Sequence, residues 1–134
     1  MAGTPDRGAP PCPCGSGRSL DACCGPCLDG TAPAASAETL MRSRYSAYVL
    51  GDEAYLLATW HPDTRPTALD LATAPPPRWL GLQVKSHRTL NAEHATVEFV
   101  ARYKINGRAH RLHEISRFEK LAGRWVYRDG DLLD

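Results

Sequence analysis

Five cysteines lie within residues 12–27 of a chain of 134 residues. Four of them form two close pairs separated by eight residues, Cys12 with Cys14 and Cys23 with Cys24. Four thiolates in two close pairs can complete a tetrahedral zinc site. The spacing therefore predicts a metal site with zinc as the cofactor and these four cysteines as its ligands.

The neighbouring residues bear on how that metal would be held. Gly15 and Gly17 allow a tight backbone whose amide N–H groups can point at the sulfurs and spread the charge of a zinc–tetrathiolate centre. Arg18 adds a positive charge nearby. Because Cys27 follows Cys24 in a Cys-x-x-Cys arrangement, Cys27 could replace Cys24 as the fourth ligand.

Two other uses of the cysteines stay open. A disulfide framework is disfavoured because the number of cysteines is odd and the chain shows no secretion signal. Neighbours within each pair are also poorly placed to bridge each other. The extra Cys27 leaves room for a thiol sensor that releases its metal on oxidation.

A second set of chemically useful side chains lies on a predicted strand at residues 108–121. Side chains alternate between the two faces of a strand, so Glu114 and Ser116 share a face with Leu112 and Phe118. A carboxylate buried without a partner costs several kcal/mol. Glu114 is therefore expected to be paired, protonated or hydrated.

Arg44 is the predicted partner of Glu114, because it lies on the apolar face of a predicted helix, four residues from both Leu40 and Tyr48. An Arg44–Glu114 pair would either fix the helix to the sheet as a structural salt bridge or help orient a small ligand in a pocket.

Four further residues complete the candidate pocket: Tyr45, His61, Tyr103 and Trp125. His61 would be a general acid or base at the pocket mouth, or else a surface histidine before a proline. The strand aromatics would line the pocket or fill the core. His110 and His113 point to opposite faces of their strand and are interpreted as surface residues.

The elements that must position these residues begin with two helices. Ser36 can cap the first helix and Gly51 can end it. Its apolar face is predicted to contain Leu40, Met41, Arg44, Tyr48 and Val49. Asp52 can cap a shorter second helix that Pro62 ends, and the three prolines at 75–77 favour an extended segment.

Four strands follow, at residues 79–88, 92–105, 108–121 and 124–128. Asn106-Gly107 is a strong hairpin signal, and Ala122-Gly123 turns the chain again. Two helices followed by an antiparallel meander predict an α+β fold. A strongly twisted sheet with helices on one face can curl into a cone with a concave interior.

Length and charge set the organisation and the expected partners. Residues 1–11 are predicted to be disordered, residues 12–30 to form the zinc-binding module and residues 31–134 to form the globular domain. The net charge of +1 argues against a dedicated nucleic-acid binder, although it leaves room for a local basic patch. Without a signal peptide or a membrane span, the protein is expected to be cytoplasmic and to have no membrane partner.

The cysteine region resembles a known motif. Cys-Pro-Cys-Gly-Ser-Gly-Arg at residues 12–18, followed by Cys-Cys-Gly at 23–25, is similar to the SEC-C motif, found at the C-terminus of the SecA translocation ATPase and in other bacterial proteins. The last ligand of that motif is His or Cys. The resemblance thus implies zinc binding with Cys24 as the fourth ligand.

The rest of the chain resembles the YchJ family of uncharacterised bacterial proteins. The similar segments are RSRYSAY at residues 42–48, VEFVARY at 97–103, EISRF at 114–118 and GRWVY at 123–127. The resemblance implies a main domain with the fold of nuclear transport factor 2. It implies little about function, because the family has no established biochemical role.

Two functions from different classes follow. The first is a non-catalytic binding or adaptor protein whose SEC-C module docks a protein partner, by analogy with the module of SecA. The alternative is a small-molecule-binding protein or an enzyme of the isomerase or dehydratase type, with its pocket around Glu114. A small molecule in the cone is thus a candidate partner, and a nucleic acid is not expected.

Overall fold

The computed structural model describes residues 10–69, 71 and 77–133. Three helices precede a four-stranded antiparallel sheet. The helices are α1 (Gly25–Leu28), α2 (Ala37–Leu50) and α3 (Glu53–Ala58), and a 3-10 turn at Leu20–Ala22 comes before them. The strands are β1 (Arg78–Asn91), β2 (His94–Ile105), β3 (Arg108–Leu121) and β4 (Arg124–Leu132).

Two predicted segments lie mainly outside the described residues. Of residues 1–11, which were predicted to be disordered, residues 1–9 lie outside the described residues. Of the three prolines predicted to be extended, those at 75 and 76 lie outside them as well. Pro10 and Pro11 belong to the folded structure. The Leu20 N–H donates to the Pro10 carbonyl at 2.9 Å, and Pro11 forms a β-bridge with Ser19.

The predicted ends of α2 are confirmed by their capping geometry. The Ser36 hydroxyl accepts the Thr39 N–H at 3.1 Å, and Gly51 ends the helix with a φ of 76°. Asp52 caps α3 by accepting the Tyr55 N–H at 3.1 Å.

Helix α3 ends well before Pro62, because the chain after it pairs with β4. The Tyr127 N–H donates to the Thr59 carbonyl at 2.8 Å, and the His61 N–H donates to the Tyr127 carbonyl at 2.7 Å. These two bonds satisfy backbone groups that a longer helix would have used. Among the described residues, no helix combines the length and the apolar character needed to cross a membrane.

The sheet is the predicted meander, with strand order β1-β2-β3-β4. β1 and β4 run further than predicted, to Asn91 and Leu132, because ladder pairing continues there. Asn91 pairs with His94 across a two-residue turn, and Leu132 pairs with Glu114. Val97, Phe99 and Ala101 of β2 face the core, as their alternation predicted.

Helix α2 is buried on more sides than one apolar stripe would require. Val49 remains 37% exposed, although the sequence placed it on the buried face. The small residues Ser43, Ser46 and Ala47 are fully buried instead. Helix α2 packs against the sheet on one side, and the cysteine segment covers a second side.

The cysteine segment (residues 12–30) is fastened to a stripe of α2 formed by Glu38, Arg42 and Ser46. Arg42 donates from its guanidinium to the Cys14 carbonyl at 3.0 Å and to the Glu38 carboxylate at 3.1 Å. The Cys12 sulfur lies 3.5 Å from the Ser46 hydroxyl. The cysteine segment and the helix therefore share one hydrophobic core, where the sequence suggested an attached module.

Two tight turns connect the strands of the second and third hairpins. Asn106 and Gly107 have φ values of 53° and 78°, and Ala122 and Gly123 have 50° and 80°. Positive φ at both central residues suits asparagine followed by glycine. A side chain with a simple Cβ, such as that of Ala122, is strained in this region.

Replacing Ala122 with asparagine should therefore raise the free energy of unfolding by about 0.5–1 kcal/mol, because asparagine tolerates the left-handed region better. Urea denaturation of the two proteins measures the difference. The reverse change at the matching turn, Asn106→Ala, should lower stability by a similar amount. Equal stability of all three proteins would contradict the role given to these φ values.

Candidate functional site

The sulfurs of Cys12, Cys14, Cys23 and Cys24 all lie within 4.8 Å of one another. The Cys14 and Cys23 sulfurs are 3.6 Å apart. A tetrahedron with zinc–sulfur bonds of about 2.3 Å has sulfur–sulfur edges of about 3.8 Å. The four sulfurs are thus close enough together that they could hold one metal ion.

Local hydrogen bonds bring the two cysteine pairs together. The Cys12 N–H donates to the Arg18 carbonyl at 2.9 Å, which folds the chain back on itself after the first pair. Gly15 and Gly17 adopt φ values of 79° and 89° within this turn. The Cys23 N–H then donates to the Leu20 carbonyl at 3.1 Å, and this places the second pair beside the first.

Hydrogen-bond donors lie close to the sulfurs of the cluster. The Ser16 hydroxyl donates to the Cys23 sulfur at 3.1 Å, and the Arg18 guanidinium donates to it at 3.7 Å. A hydrogen bond from Cys24, the largest effect, lowers the pKa of Cys14 to about 4 against the burial that would raise it. Burial raises the pKa of Cys23, and the hydrogen bond to Cys14, followed by burial, raises the pKa of Cys24. The negative charge of the cluster is therefore concentrated on Cys14. A thiolate is the form of cysteine that binds metal.

Cys27 stands apart from this cluster, on α1. Its side chain is buried, and burial raises the pKa of the thiol. A buried cysteine with a raised pKa is a poor nucleophile, which gives no support to a reactive sensor thiol. All five cysteines are free, so the disulfide framework is not formed.

A cavity of about 280 Å³ lies between α2 and the concave face of the sheet. Aromatic rings form most of its wall, and three polar side chains interrupt them. The lining residues are Met41, Arg44, Tyr45, Tyr48, Trp60, Trp79, Phe99, Ala101, Leu112, Glu114, Ser116, Phe118 and Tyr127. The centre of the cone is thus a pocket rather than a filled core.

Arg44 and Glu114 both line this pocket, but they do not form the predicted salt bridge. Arg44 donates to the Leu56 carbonyl at 2.8 Å and to the Thr59 hydroxyl at 2.7 Å. Its guanidinium carbon lies 4.9 Å and 4.8 Å from the ring centroids of Trp60 and Tyr127. The sequence analysis predicted that Glu114 would pair with this buried cation. The end of α3 and two aromatic rings stabilise it instead.

Glu114 has its own partners on the sheet. Its carboxylate accepts the Ser116 hydroxyl at 2.6 Å and the Tyr127 hydroxyl at 3.1 Å. Burial, followed by the Glu114 charge, raises the pKa of Tyr127, so the phenol keeps its proton and remains a donor. The carboxylate is held in place without a cation in direct contact.

Besides Arg44, Glu114 and Ser116, Tyr45 is the predicted pocket residue that lines the cavity. Its ring meets the Trp79 ring edge to face, with the ring centroids 5.5 Å apart. Tyr103 lies beyond Trp79, with its ring 5.3 Å from that indole and 5.2 Å from the His110 ring. Trp125 lies outside the lining as well and packs at the edge of the core.

His61 is neither a pocket residue nor a surface residue. Only 7% of it is exposed. Its Nε2 lies 3.4 Å from the Glu119 carboxylate and 3.1 Å from the Arg128 guanidinium, and its Nδ1 accepts the Asp63 N–H at 3.0 Å. The pairing of residues 60 and 127 turns this ring away from the cone.

His113 also differs from its interpretation as a surface residue, because its Nε2 lies 2.7 Å from the half-buried Glu98 carboxylate. His110 is exposed, as expected. Trp60 and Tyr127 were missed as partners of Arg44. Their contact depends on a bridge between segments 67 residues apart, for which no local pattern gives a signal.

Comparison with known proteins identifies the family that has this fold. A family model described as the middle, NTF2-like domain of YchJ matches residues 36–130. The chain belongs to the YchJ family. The predicted NTF2-like α+β fold and the predicted family are therefore confirmed.

Relatives and solved structures agree over most of the chain. A UPF0225 protein of Ralstonia nicotianae is 60% identical in an alignment of 131 residues, and the alignment covers 90% of this chain and 90% of that one. The solution structure of a SEC-C motif containing protein from Rhodopseudomonas palustris matches with a TM-score of 0.82 and 41% identity, over 92% of this chain and 98% of that one. A crystal structure of a SEC-C motif containing protein from Psychrobacter arcticus matches with a TM-score of 0.75 and 31% identity, over 92% and 82%.

The position of the Glu114 carboxylate depends on a glycine opposite it. A Cβ atom at Gly130 would overlap that carboxylate, so Gly130→Ala should push it out of its place. We expect a loss of about 1–3 kcal/mol in stability. Thermal unfolding measures the loss, with Gly81→Ala on β1 as the control, because a Cβ there meets nothing within 4 Å. If the two variants behave alike, Gly130 has no special role.

Proposed function

We propose that this protein is a zinc-stabilised, non-catalytic binding protein that holds a small molecule in the pocket between α2 and the sheet. The observation that carries the proposal is a cavity of about 280 Å³ in which Arg44 and Glu114 are each held separately. This volume is close to the lower end of ligand sites, about 300–1,000 Å³. A pair that served only to dock the helix would be expected to close on itself.

The lining indicates the chemistry of the ligand. The aromatic wall suits a flat, largely apolar molecule. Glu114 offers a fixed acceptor, and the Arg44 guanidinium offers donors beyond the NH1 group already bonded to α3. The ligand would therefore combine a ring with one hydrogen-bond donor and one acceptor.

Binding is favoured over catalysis by what surrounds the carboxylate. Glu114 accepts hydrogen bonds from the Ser116 and Tyr127 hydroxyls at the same oxygen, Oε2, and these hold the carboxylate in a fixed orientation. No histidine is among the side chains that line the described cavity, and His61 is bonded elsewhere. An acid–base enzyme of the isomerase type would need a second proton-transfer group at the same place.

Zinc would be held by the four clustered cysteines, whose spacing fits it. It would supply a closed structural centre, since a four-thiolate site has no open position for a substrate. The centre would lie against α2, with Cys12 near Ser46 and the Cys14 carbonyl bonded to Arg42. Its effect on the pocket would be indirect, through the helix that carries Arg44 and Tyr45.

Cys24→Ser should abolish zinc binding, because the variant loses one of the four clustered sulfurs. We expect one zinc per wild-type chain by native mass spectrometry and none in the variant. The unfolding temperature should fall by at least about 10 °C, because a structural zinc contributes several kcal/mol.

Cys27→Ser is the matched control, since it removes a nearby buried thiol that lies outside the cluster. This variant should keep its zinc. Zinc retained in Cys24→Ser and lost in Cys27→Ser would instead assign the fourth ligand to Cys27.

Benzamide is a suitable probe for the pocket, because its ring matches the aromatic wall and its amide offers both a donor and an acceptor. We expect saturable quenching or enhancement of tryptophan fluorescence from Trp60 and Trp79, both of which line the cavity. Glu114→Gln should weaken this binding about tenfold, since a charged acceptor contributes about 1.5–3 kcal/mol. Glu93→Gln, in an exposed turn, is the control. Binding by every variant with equal affinity would place the probe outside the pocket.

The adaptor role implied by the SEC-C resemblance is a second proposal, and the exposure of residues 15–18 favours it. These residues form one exposed turn of the cysteine segment, between the two cysteine pairs. A protein partner of this turn would meet Ser16 and Arg18, which also donate hydrogen bonds to the Cys23 sulfur. Affinity capture from a host lysate with the wild type and with an Arg18→Glu variant would test it, because a partner of this turn should be lost in the variant only. Native mass spectrometry of both proteins must show the same zinc content, so that loss of the partner is not a loss of the metal.

A further inference from the structure

Arg44 is a buried cation without a counter-charge in direct contact. Only 6% of it is exposed. In the described part of the chain it forms no ion pair with an acidic side chain, whereas Arg42, Arg117 and Arg128 all do, and those three are more exposed. A charge taken out of water is normally stabilised by an opposite charge beside it. The most buried of these four arginines therefore lacks the kind of partner that the other three have.

The hydrogen bonds of Arg44 use one side of its guanidinium group. Nη1 donates to the Leu56 carbonyl at 2.8 Å and to the Thr59 hydroxyl at 2.7 Å. Nε and Nη2 lie side by side on the opposite edge and donate to no group in the described residues. Two parallel N–H groups on one edge of an arginine match the two oxygens of a carboxylate. The unused edge is therefore the one suited to a bidentate bond with a carboxylate.

This unused edge opens onto the cavity. Trp60 Nε1 is the one fully buried side-chain nitrogen or oxygen without a partner among the described residues. Nε and Nη2 of Arg44 therefore still reach open space. Because Arg44 is almost entirely covered and lines the cavity, that space is the cavity itself.

Tyr48 adds a second donor on the same side of the cavity. It follows Arg44 by four residues on α2, so the two side chains are neighbours on the helix surface, and both line the cavity. Its hydroxyl forms no hydrogen bond within the described residues, whereas the Tyr55 and Tyr127 hydroxyls do. Burial, the largest effect, raises the pKa of Tyr48, so the phenol keeps its proton and can donate.

Glu114 limits the charge that the cavity accepts. Its bonds from Ser116 and Tyr127 both end on Oε2, so Oε1 has no donor from the described residues and can meet a donor on the ligand. A phosphate group carries up to about two negative charges near neutral pH, so Glu114 would repel it more strongly than it repels a carboxylate. A carboxylate is also planar, as the aromatic wall requires.

We propose that the pocket binds an ionised aromatic carboxylic acid, with its carboxylate on the Nε–Nη2 edge of Arg44 and on the Tyr48 hydroxyl, and its ring against the aromatic wall. This inference rests on the proposed function, because it names the class of molecule that the same pocket takes. The carboxylate supplies the counter-charge that the protein itself does not place on Arg44. A neutral ligand would leave that buried cation unpaired.

Benzoate and benzamide separate this inference from the proposed function, since they have nearly the same shape and differ in charge. Tryptophan fluorescence titration of the full-length, zinc-loaded protein at neutral pH should give at least about tenfold higher affinity for benzoate. If benzamide binds and benzoate binds no more tightly, the inference is overturned and the pocket stands. If neither binds, the proposed function fails as well. Tighter binding of phenyl phosphate than of benzoate would overturn the choice of a carboxylate.

Glu114→Gln should move the two affinities in opposite directions. Benzamide should bind more weakly, because its donor loses a charged acceptor. Benzoate should bind about threefold or more tightly, because the repulsion between two carboxylates is gone. Opposite shifts exclude misfolding, which would weaken both ligands. Weaker benzoate binding in this variant would contradict the place given to the carboxylate.

Tyr48→Phe removes one donor and keeps the ring, so it should weaken benzoate binding about threefold to tenfold. Tyr103→Phe is the matched control, because Tyr103 lies outside the cavity lining, and it should bind benzoate as the wild type does. Equal affinity of the two variants would remove Tyr48 from the site.

Arg44→Lys keeps the positive charge and loses the planar edge. The ratio of the benzoate affinity to the benzamide affinity should fall about threefold or more in this variant. The ratio is the readout because any loss of folding would weaken both ligands alike. An unchanged ratio would overturn the role of the Arg44 edge.

Discussion

The burial of α2 on two sides is the constraint on which the rest of the structure depends. One stripe of this helix holds the cysteine segment through the hydrogen bond from Arg42 to the Cys14 carbonyl and through the contact between the Cys12 sulfur and the Ser46 hydroxyl. Another side packs on the sheet and supplies Arg44 and Tyr45 to the pocket. A segment of about 20 residues cannot bury a core alone. It therefore depends on its packing against α2, and the helix is in turn held by the cysteine segment on one side and by the sheet on the other.

The pocket remains open because its two charged groups are satisfied independently. Arg44 lies between two aromatic rings and donates to the end of α3, while Glu114 is held by hydroxyl groups on the sheet. An ion pair across the cone would have drawn α2 and β3 together. The separation of the charges leaves room for a molecule that can meet both. Tyr127 serves both groups, by its ring face toward Arg44 and by its hydroxyl toward Glu114.

The two faces of the sheet are chemically different, and the alternation of side chains along β2 separates them. Val97, Phe99 and Ala101 complete the core, while Arg102 and Lys104 point outward. The same alternation thus produces an aromatic pocket inside and exposed basic side chains outside.

The sequence by itself determined what depends on short-range chemistry. The caps Ser36, Gly51 and Asp52 mark the helix ends, alternation and Asn106-Gly107 mark the meander, and the spacing of the cysteines marks the cluster. Only the tertiary structure decided the long-range contacts. Arg44 binds α3 and Trp60 instead of Glu114, and His61 turns toward Glu119, because a backbone bridge joins Trp60 to Tyr127. That bridge closes a loop of 67 residues, and its partners are chosen by packing in three dimensions, which periodicity along the chain does not encode.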